Sequence, residues 1–391
     1  MPAGLKHQTP TTMSTQVAAT PRLAPSVAPP PRPRVSPARR IARGLWWTSR
    51  LLVALFLFVG ALQVMKEGAS ELSVLKSGGL LVRNAGSTLG LGWVGALFVL
   101  SGSPIAASAL TLVKGGAISE IQGFTMVTGS RLGAAFVVLL VAVIYALKGG
   151  NGKRKSALST AVLALSTTAF VYVPGALIGF ALLQWGVFGG VQLRFSGRAW
   201  DLIDTVYEPL LALIGHLQPP ILFLGGLGLL LLSFKVIDTV IPEFSSETIE
   251  GSWAGRLRRK WPMFTLGCLV ALVTMSVSVA LTLLVPLVAK KLVEREQILP
   301  YIIGANIATL GDTLLAAFLL RSPEAVRIML ATITGTTIAS LLLLAFLYPQ
   351  MYRAMWWFQR RMVKSRIRLA GFTAGLFLVP LSIVVVSAIG R

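Results

Sequence analysis

Cysteine and histidine are nearly absent from this chain of 391 residues, and each scarcity closes off a class of chemistry. Cys268 is the single cysteine, so no intrachain disulfide can form, and its apolar surroundings argue against redox work. His7 and His216 are too few for a histidine metal site. Charged residues make up only 13% of the chain, about half the roughly 25% usual in soluble domains. Nor is there a phosphate-binding glycine loop ending in Lys-Ser/Thr, or a set of nucleophile, base and orienter. The chain is therefore read as not an enzyme, with no organic cofactor.

What is present is apolar. Hydrophobic residues reach 54% and the mean hydropathy is +0.76, which implies an integral membrane protein with the lipid bilayer as its main partner. The net charge of +22 does not imply nucleic acid, because the basic residues lie scattered between long apolar runs instead of forming one face.

Residues 1–43 are rich in Pro, Ala, Thr and Arg and contain no acid, as in a disordered basic cytoplasmic tail. Apolar runs long enough to span follow near 44–65, 120–147, 157–183, 219–241, 297–320, 326–350 and 370–389. Two further stretches, about 80–114 and 262–290, are apolar but interrupted by Ser101-Gly102-Ser103-Pro104 and by Thr274 to Ser278. The expected organisation is a first repeat over 44–183, an external connection over 184–218 and a second repeat over 219–350. A basic cytoplasmic loop over 351–369 and a final helix over 370–391 complete it.

Loop charge orients these spans. Placing the tail and the basic connections at 148–155, 256–260, 290–295 and 353–368 inside puts 24 of the 36 Lys and Arg in the cytoplasm. The expected site is the bacterial inner membrane, with the amino terminus cytoplasmic. Counting crossings then makes 80–114 and 262–290 hairpins that enter from opposite sides. The windows Ser101–Gly129 and Ser276–Gly304 align on each other without a gap, each opening on Ser-x-Ser, with Gln122 and Gln297 coincident. The offset that places Ser101 on Ser276 also carries 44–65 onto 219–240, a span running the other way. The predicted fold is thus an all-α polytopic membrane protein of two inverted-topology repeats, each with a re-entrant hairpin.

The turn Gly304-Ala305-Asn306-Ile307-Ala308-Thr309 resembles the type II sodium/phosphate cotransporters, as does the interval from first serine to glycine, which is the same in both halves. That family carries a Gln-Ser-Ser-Ser segment at each hairpin tip and a Gly-Ala/Ser-Asn-Ile-Gly-Thr turn beyond it. The chain departs from the pattern at Leu100 and Met275 (family Gln), at Gly102 and Val277 (middle Ser), and at Arg131 (Asn). The resemblance covers roughly 45–350, its specific motifs only a minor part of that stretch. It implies a secondary active transporter of a small anion such as phosphate, with Na+ or H+ as coupling ion. Ser101, Ser103, Ser276, Ser278, Asn306 and Thr309 are then candidates for substrate or ion contact. A channel, or a scaffold or sensor derived from the fold, is the alternative, and a homo-oligomer is left open.

Two charges stand out independently of any family. Asp312 is the one acid deep in a predicted span, and Arg131 is the most deeply placed base. Intramembrane charges are costly and face a partner or a wet cavity. Arg131 binding an anion, Asp312 binding a cation, and a structural ion pair are the competing readings. The Thr- and Gly-rich face at 334–337 reads as helix packing, and Pro174-Gly175 as a kink.

Overall fold

The computed structural model describes residues 37–72, 82–148, 151–191, 198–240, 259–275, 279–281, 283–284, 288, 293 and 295–389. Two compact units divide the chain, Met1–Leu45 and Trp46–Arg391. Apart from the first turns of α1, all that follows concerns the second. Among the described residues the secondary structure is helical, with no strand. The helices are α1 (Pro37–Ser70), α2 (Ala85–Val99), α3 (Ser103–Lys114), α4 (Glu120–Ala134), α5 (Phe136–Lys148), α6 (Asn151–Gln184) and α7 (Arg198–Ile214). After them come α8 (Pro219–Val240), α9 (Lys260–Thr274), α10 (Arg295–Ala308), α11 (Leu310–Leu319), α12 (Pro323–Ala345), α13 (Tyr348–Val363) and α14 (Arg366–Ile389).

Among the described residues, seven stretches are long and apolar enough to cross a membrane: Leu45–Ser70, Glu120–Leu147, Lys155–Gln184, Pro219–Ile237, Glu296–Leu319, Pro323–Ala345 and Arg366–Ile389. Each coincides with a span read from the sequence. α2 and α9, at 15 residues apiece, are apolar but short, about 22 Å at 1.5 Å per residue. That is less than the roughly 30 Å of a hydrocarbon core.

Boundaries differ from the sequence reading in four places. Helix α1 already begins at Pro37, inside the stretch read as disordered tail, and the rest of that tail, 1–36, lies outside the described residues. The 184–218 connection contains α7, whose Tyr207 stacks on Phe56 of α1 with ring centroids 5.1 Å apart and donates its hydroxyl to the Phe56 carbonyl at 2.6 Å. Most of the basic loop at 351–369 is helical, because α13 has one apolar face, with Met351, Met355 and Trp356 buried. Finally, α14 starts at Arg366, four residues before the expected 370.

Local chemistry sets several helix ends. Asn84 caps α2 in a reciprocal box with Ser87, and Ser119 caps α4 in another with Gln122. Ser322 caps α12, with Pro323 in its first turn. α3 is buried along its length from Ser103 to Val113, as an all-round apolar helix must be.

Close helix contacts repeat at the offset found in the sequence. α2 and α4 pass so near each other that a Cβ at Gly92 would lie 2.1 Å from the Met126 carbonyl oxygen, and one at Gly129 would lie 2.0 Å from that of Leu89. In α9 and α10 the corresponding values are 2.1 Å from Gly267 to Tyr301 and 2.1 Å from Gly304 to Phe264. Only glycine permits this approach. Helix α3 runs back against both α2 and α4: Gly102 at its start faces Ser130, while Val113 near its end faces Gly123.

α2 and α9 also end alike, on Leu100 (φ 57) and Met275 (φ 47), non-glycine residues in left-handed backbone. The long spans pair antiparallel. α1 meets α8 through Gly68 against Phe223 and through the Ser233 hydroxyl, which donates to Ala54 O at 2.8 Å. α6 meets α12 where Gly335 faces Gly175 and Gly179, so the expected packing role of the 334–337 face holds.

Polar ties gather at the two ends of this bundle. At one end Glu120 pairs with Arg327 (3.0 Å), Asp204 with Arg321 (2.8 Å), and the Asn84 amide donates to Ser387 O at 2.9 Å. At the other, Lys260 donates to Leu344 O at 2.9 Å, and the Tyr352 hydroxyl to Glu296 Oε1 at 3.1 Å. Between these ends lie two apolar clusters, one around α3 and one around α10.

Candidate functional site

Arg131 on α4 and Asp312 on α11 meet in the interior, their side chains 1% and 2% exposed. The nearest approach, Nη2 to Oδ1, is 3.7 Å, too long for a direct hydrogen bond. Thr313 fills the gap. Its hydroxyl accepts from Arg131 Nη2 and donates to Asp312 Oδ1, the latter at 2.8 Å. Arg131 Nη1 reaches Ser103 Oγ at 3.4 Å, in the first turn of α3. The amino end of that helix adds a partial positive potential that favours an acid close by.

The attraction is large but incompletely served. At 3.7 Å two unit charges gain about 4 kcal/mol at an effective dielectric of 20. Removing both from water costs several kcal/mol per ion. Among the described residues, Arg131 Nε and Asp312 Oδ2 have no hydrogen-bond partner. The pair therefore keeps an open donor on the base and an open acceptor on the acid.

A second polar group adjoins it. Asn306 on α10 is fully buried, and its carbonyl accepts the Tyr172 hydroxyl of α6 at 2.7 Å. The Asn306 amide donates to Thr168 Oγ1 at 3.1 Å, while Asn306 Oδ1 has no partner among the described residues. Thr309 is buried and donates back to Ala305 O at 3.2 Å, so its hydroxyl serves its own helix. Tyr172 links the groups, since its phenol shares the Asn306 carbonyl with the Thr309 hydroxyl and lies in the fields of Arg131 and Asp312.

Of the residues expected at a site, Ser103, Arg131 and Asp312 come together, with Asn306 and Thr309 adjoining through Tyr172. Ser101 stands half-buried at the break before α3. Ser276 and Ser278 lie outside the described residues. Gly102 is explained sterically, because a Cβ there would lie 2.8 Å from Ser130 O, on the turn that carries Arg131. The reading by sequence missed Thr313, Tyr172 and Thr168. Thr313 is signalled by its place beside the buried acid, whereas Tyr172 and Thr168 lie in a span that already holds Ser166 and Thr167 and have no distinguishing signal.

A cavity of 660 Å³ bounded by α2, α4, α6, α12, α13 and α14 is lined by apolar side chains apart from Ser166 and the Trp93 indole, and none of the candidate residues lines it. It is not a site for a small ion. No metal-binding cluster of His, Cys, Asp or Glu occurs among the described residues.

Comparison with known proteins gives no relative: no family model, no curated protein and no solved structure matches the chain. What stands, among the described residues, is an all-helical fold with seven membrane-length apolar helices and a buried polar centre, compatible with an integral membrane protein.

Proposed function

We propose that this chain is a secondary active transporter of a small anion, inorganic phosphate being the leading example, coupled to Na+ or H+. In this reading the chain is made of two inverted-topology repeats that alternate access to a common site. α2 with α3, and the segment from α9 toward α10, are re-entrant hairpins. The observation that carries the proposal is the doubled helix contact: glycines at one constant offset, Gly92 with Gly267 and Gly129 with Gly304, hold α2 on α4 and α9 on α10 at the same atoms. The antiparallel pairing of α1 with α8 and of α6 with α12 supports inversion, since each pair joins spans that correspond between the halves. Inverted repeats of this kind place substrate at their interface near the bilayer midplane. The Ser103, Arg131, Thr313 and Asp312 cluster, with Asn306 beside it, supplies hydroxyls, a cation and an acid at such a depth. The basic connections at 148–155, 256–260 and 353–368 support an amino terminus in the cytoplasm of a bacterial inner membrane.

The test is uptake by purified protein in liposomes, with radiolabelled phosphate, sulfate, chloride and acetate offered in turn under Na+ or H+ gradients. At least one anion is expected to accumulate above empty liposomes, and Arg131→Gln is expected to abolish that uptake. A scaffold or sensor derived from the same fold is the second reading. It is favoured by Arg131 being already compensated by Asp312, which suits a closed, non-transporting core. Absence of uptake for every anion under both gradients would select it.

A further inference from the structure

We propose that the coupling ion is a proton, carried on Asp312 Oδ2, and that Na+ plays no part at this carboxylate. The inference rests on the transport reading above and names the ion that reading leaves open.

The site as it stands is neutral, Arg131 positive and Asp312 negative at 3.7 Å. An anion drawn to Arg131 must share that guanidinium with Asp312. With both negative charges present and both nearly water-free, the site holds one uncompensated charge, the state that buried sites avoid most strongly. A positive charge has to arrive with the anion. Sodium at Asp312 would sit beside a guanidinium that already holds the same carboxylate, so the ion would meet a like charge at short range. A proton escapes this conflict. Bonded to Oδ2, the oxygen without a partner among the described residues, it turns Asp312 into a neutral acid and releases Arg131.

Oδ1 keeps the Thr313 hydroxyl throughout. Arg131 then offers its unpartnered Nε–H to an anion oxygen. Charge and atoms balance for a monoanion: one O–H bond forms at Asp312, one anion enters, and the site is neutral before and after. Discharge on the far side reverses both steps and restores the ion pair.

The surroundings fit this assignment. Arg131 on α4 is the charge acting on Asp312, with the Ser103 and Thr313 hydroxyls as its polar neighbours. Tyr172 on α6 is the other ionisable group near it, and that phenol donates to the Asn306 carbonyl. The ionisable side chains of α3 and α12, which also pack on α11, are Lys114, Glu324 and Arg327. Lys114 closes the last turn of α3, Glu324 stands in the first turn of α12, and Arg327 is tied to Glu120.

The deciding experiment measures proton flux with the unmodified protein, so it does not depend on a variant folding. Proteoliposomes holding a pH-sensitive dye receive an inward gradient of phosphate, and in parallel runs of sulfate, chloride or acetate, in Na+-free buffer at pH 6 and pH 8. Expected, after subtraction of protein-free liposomes and with phosphate referred to its monoanion at each pH, are internal acidification in step with labelled-anion uptake, at one proton per monoanion beyond those the anion itself releases, and uptake at least fivefold faster at pH 6. Asp312→Asn is expected to remove the acidification and the pH dependence together. Uptake that needs Na+ and moves no protons overturns the assignment while leaving the transporter reading intact. No uptake of any anion overturns the transporter reading, and the assignment falls with it.

Discussion

Replacing Gly92 by alanine tests one of the closest helix contacts in the fold. Its Cβ would stand 2.1 Å from Met126 O, where ordinary contact begins at 3.4 Å, so α2 and α4 must separate by about 1.3 Å. The opposing atom is a main-chain carbonyl inside a helix and cannot rotate aside. A radial gap of even about 0.5–1 Å forfeits a quarter to a half of each dispersion contact along the seam. The cost therefore falls at the upper end of the overpacking range, about 3 kcal/mol. Gly267→Ala, 2.1 Å from Tyr301 O, is expected to cost the same. Gly228 in α8 is the control, since a Cβ there meets nothing within 4 Å and alanine is the better helix former by about 1 kcal/mol. Equilibrium unfolding of the purified proteins in detergent thus predicts changes of opposite sign. If Gly92→Ala and Gly267→Ala both behave like Gly228→Ala, the close approach is not real. If only one destabilises, the two halves are not packed alike.

Arg131→Gln and Asp312→Asn are each expected to destabilise by about 3–5 kcal/mol, with the double substitution recovering part of the loss; stability effects that add to within about 0.5 kcal/mol would eliminate the pair. Tyr172→Phe leaves the Asn306 carbonyl with the Thr309 hydroxyl alone and is expected to cost about 1 kcal/mol in the same unfolding measurement. In a Cys268→Ser background, cysteine at Lys76 is expected to react with an impermeant maleimide in sealed cells, while cysteines at Lys153 and Arg258 do not. Ready labelling of the latter two from outside would reverse the orientation.

The seven long helices were legible because an uninterrupted apolar run of membrane length has few other uses, and the breaks at Ser101 and Thr274 because Ser, Gly and Pro interrupt apolar runs visibly. The stretch Gly304 to Thr309, read as a turn, is helical through Ala308, and Gly129 likewise lies inside α4, so the breaks at Ala135 and Thr309 were not placed by the sequence reading. They divide α4 from α5 and α10 from α11 at nearly equivalent places, yet the flanking residues are ordinary helix formers. The α13 helix was hidden by its charge, since Arg353, Arg360, Arg361 and Lys364 dominate a composition reading while the buried stripe of Met351, Met355 and Trp356 emerges only from periodicity. At the site, charge in an apolar span disclosed Arg131 and Asp312. Thr313 and Tyr172 carry no such mark, because a hydroxyl in a membrane helix is cheap when it bonds to its own backbone. Which hydroxyls turn outward to a neighbour is decided by packing.

Leu100 has a mechanical meaning beyond ending a helix. Left-handed backbone at a leucine lies about 1–2 kcal/mol above the right-handed form, so this joint rests uphill. Its relaxed form would carry α2 straight on and swing Ser103 away from Arg131. The latch that prevents this is Gly102 pressed on the Ser130 carbonyl, with only hydrogen between the two backbones. Any substitution that widens that contact, Gly102→Ala first, leaves the strain stored at Leu100 less opposed.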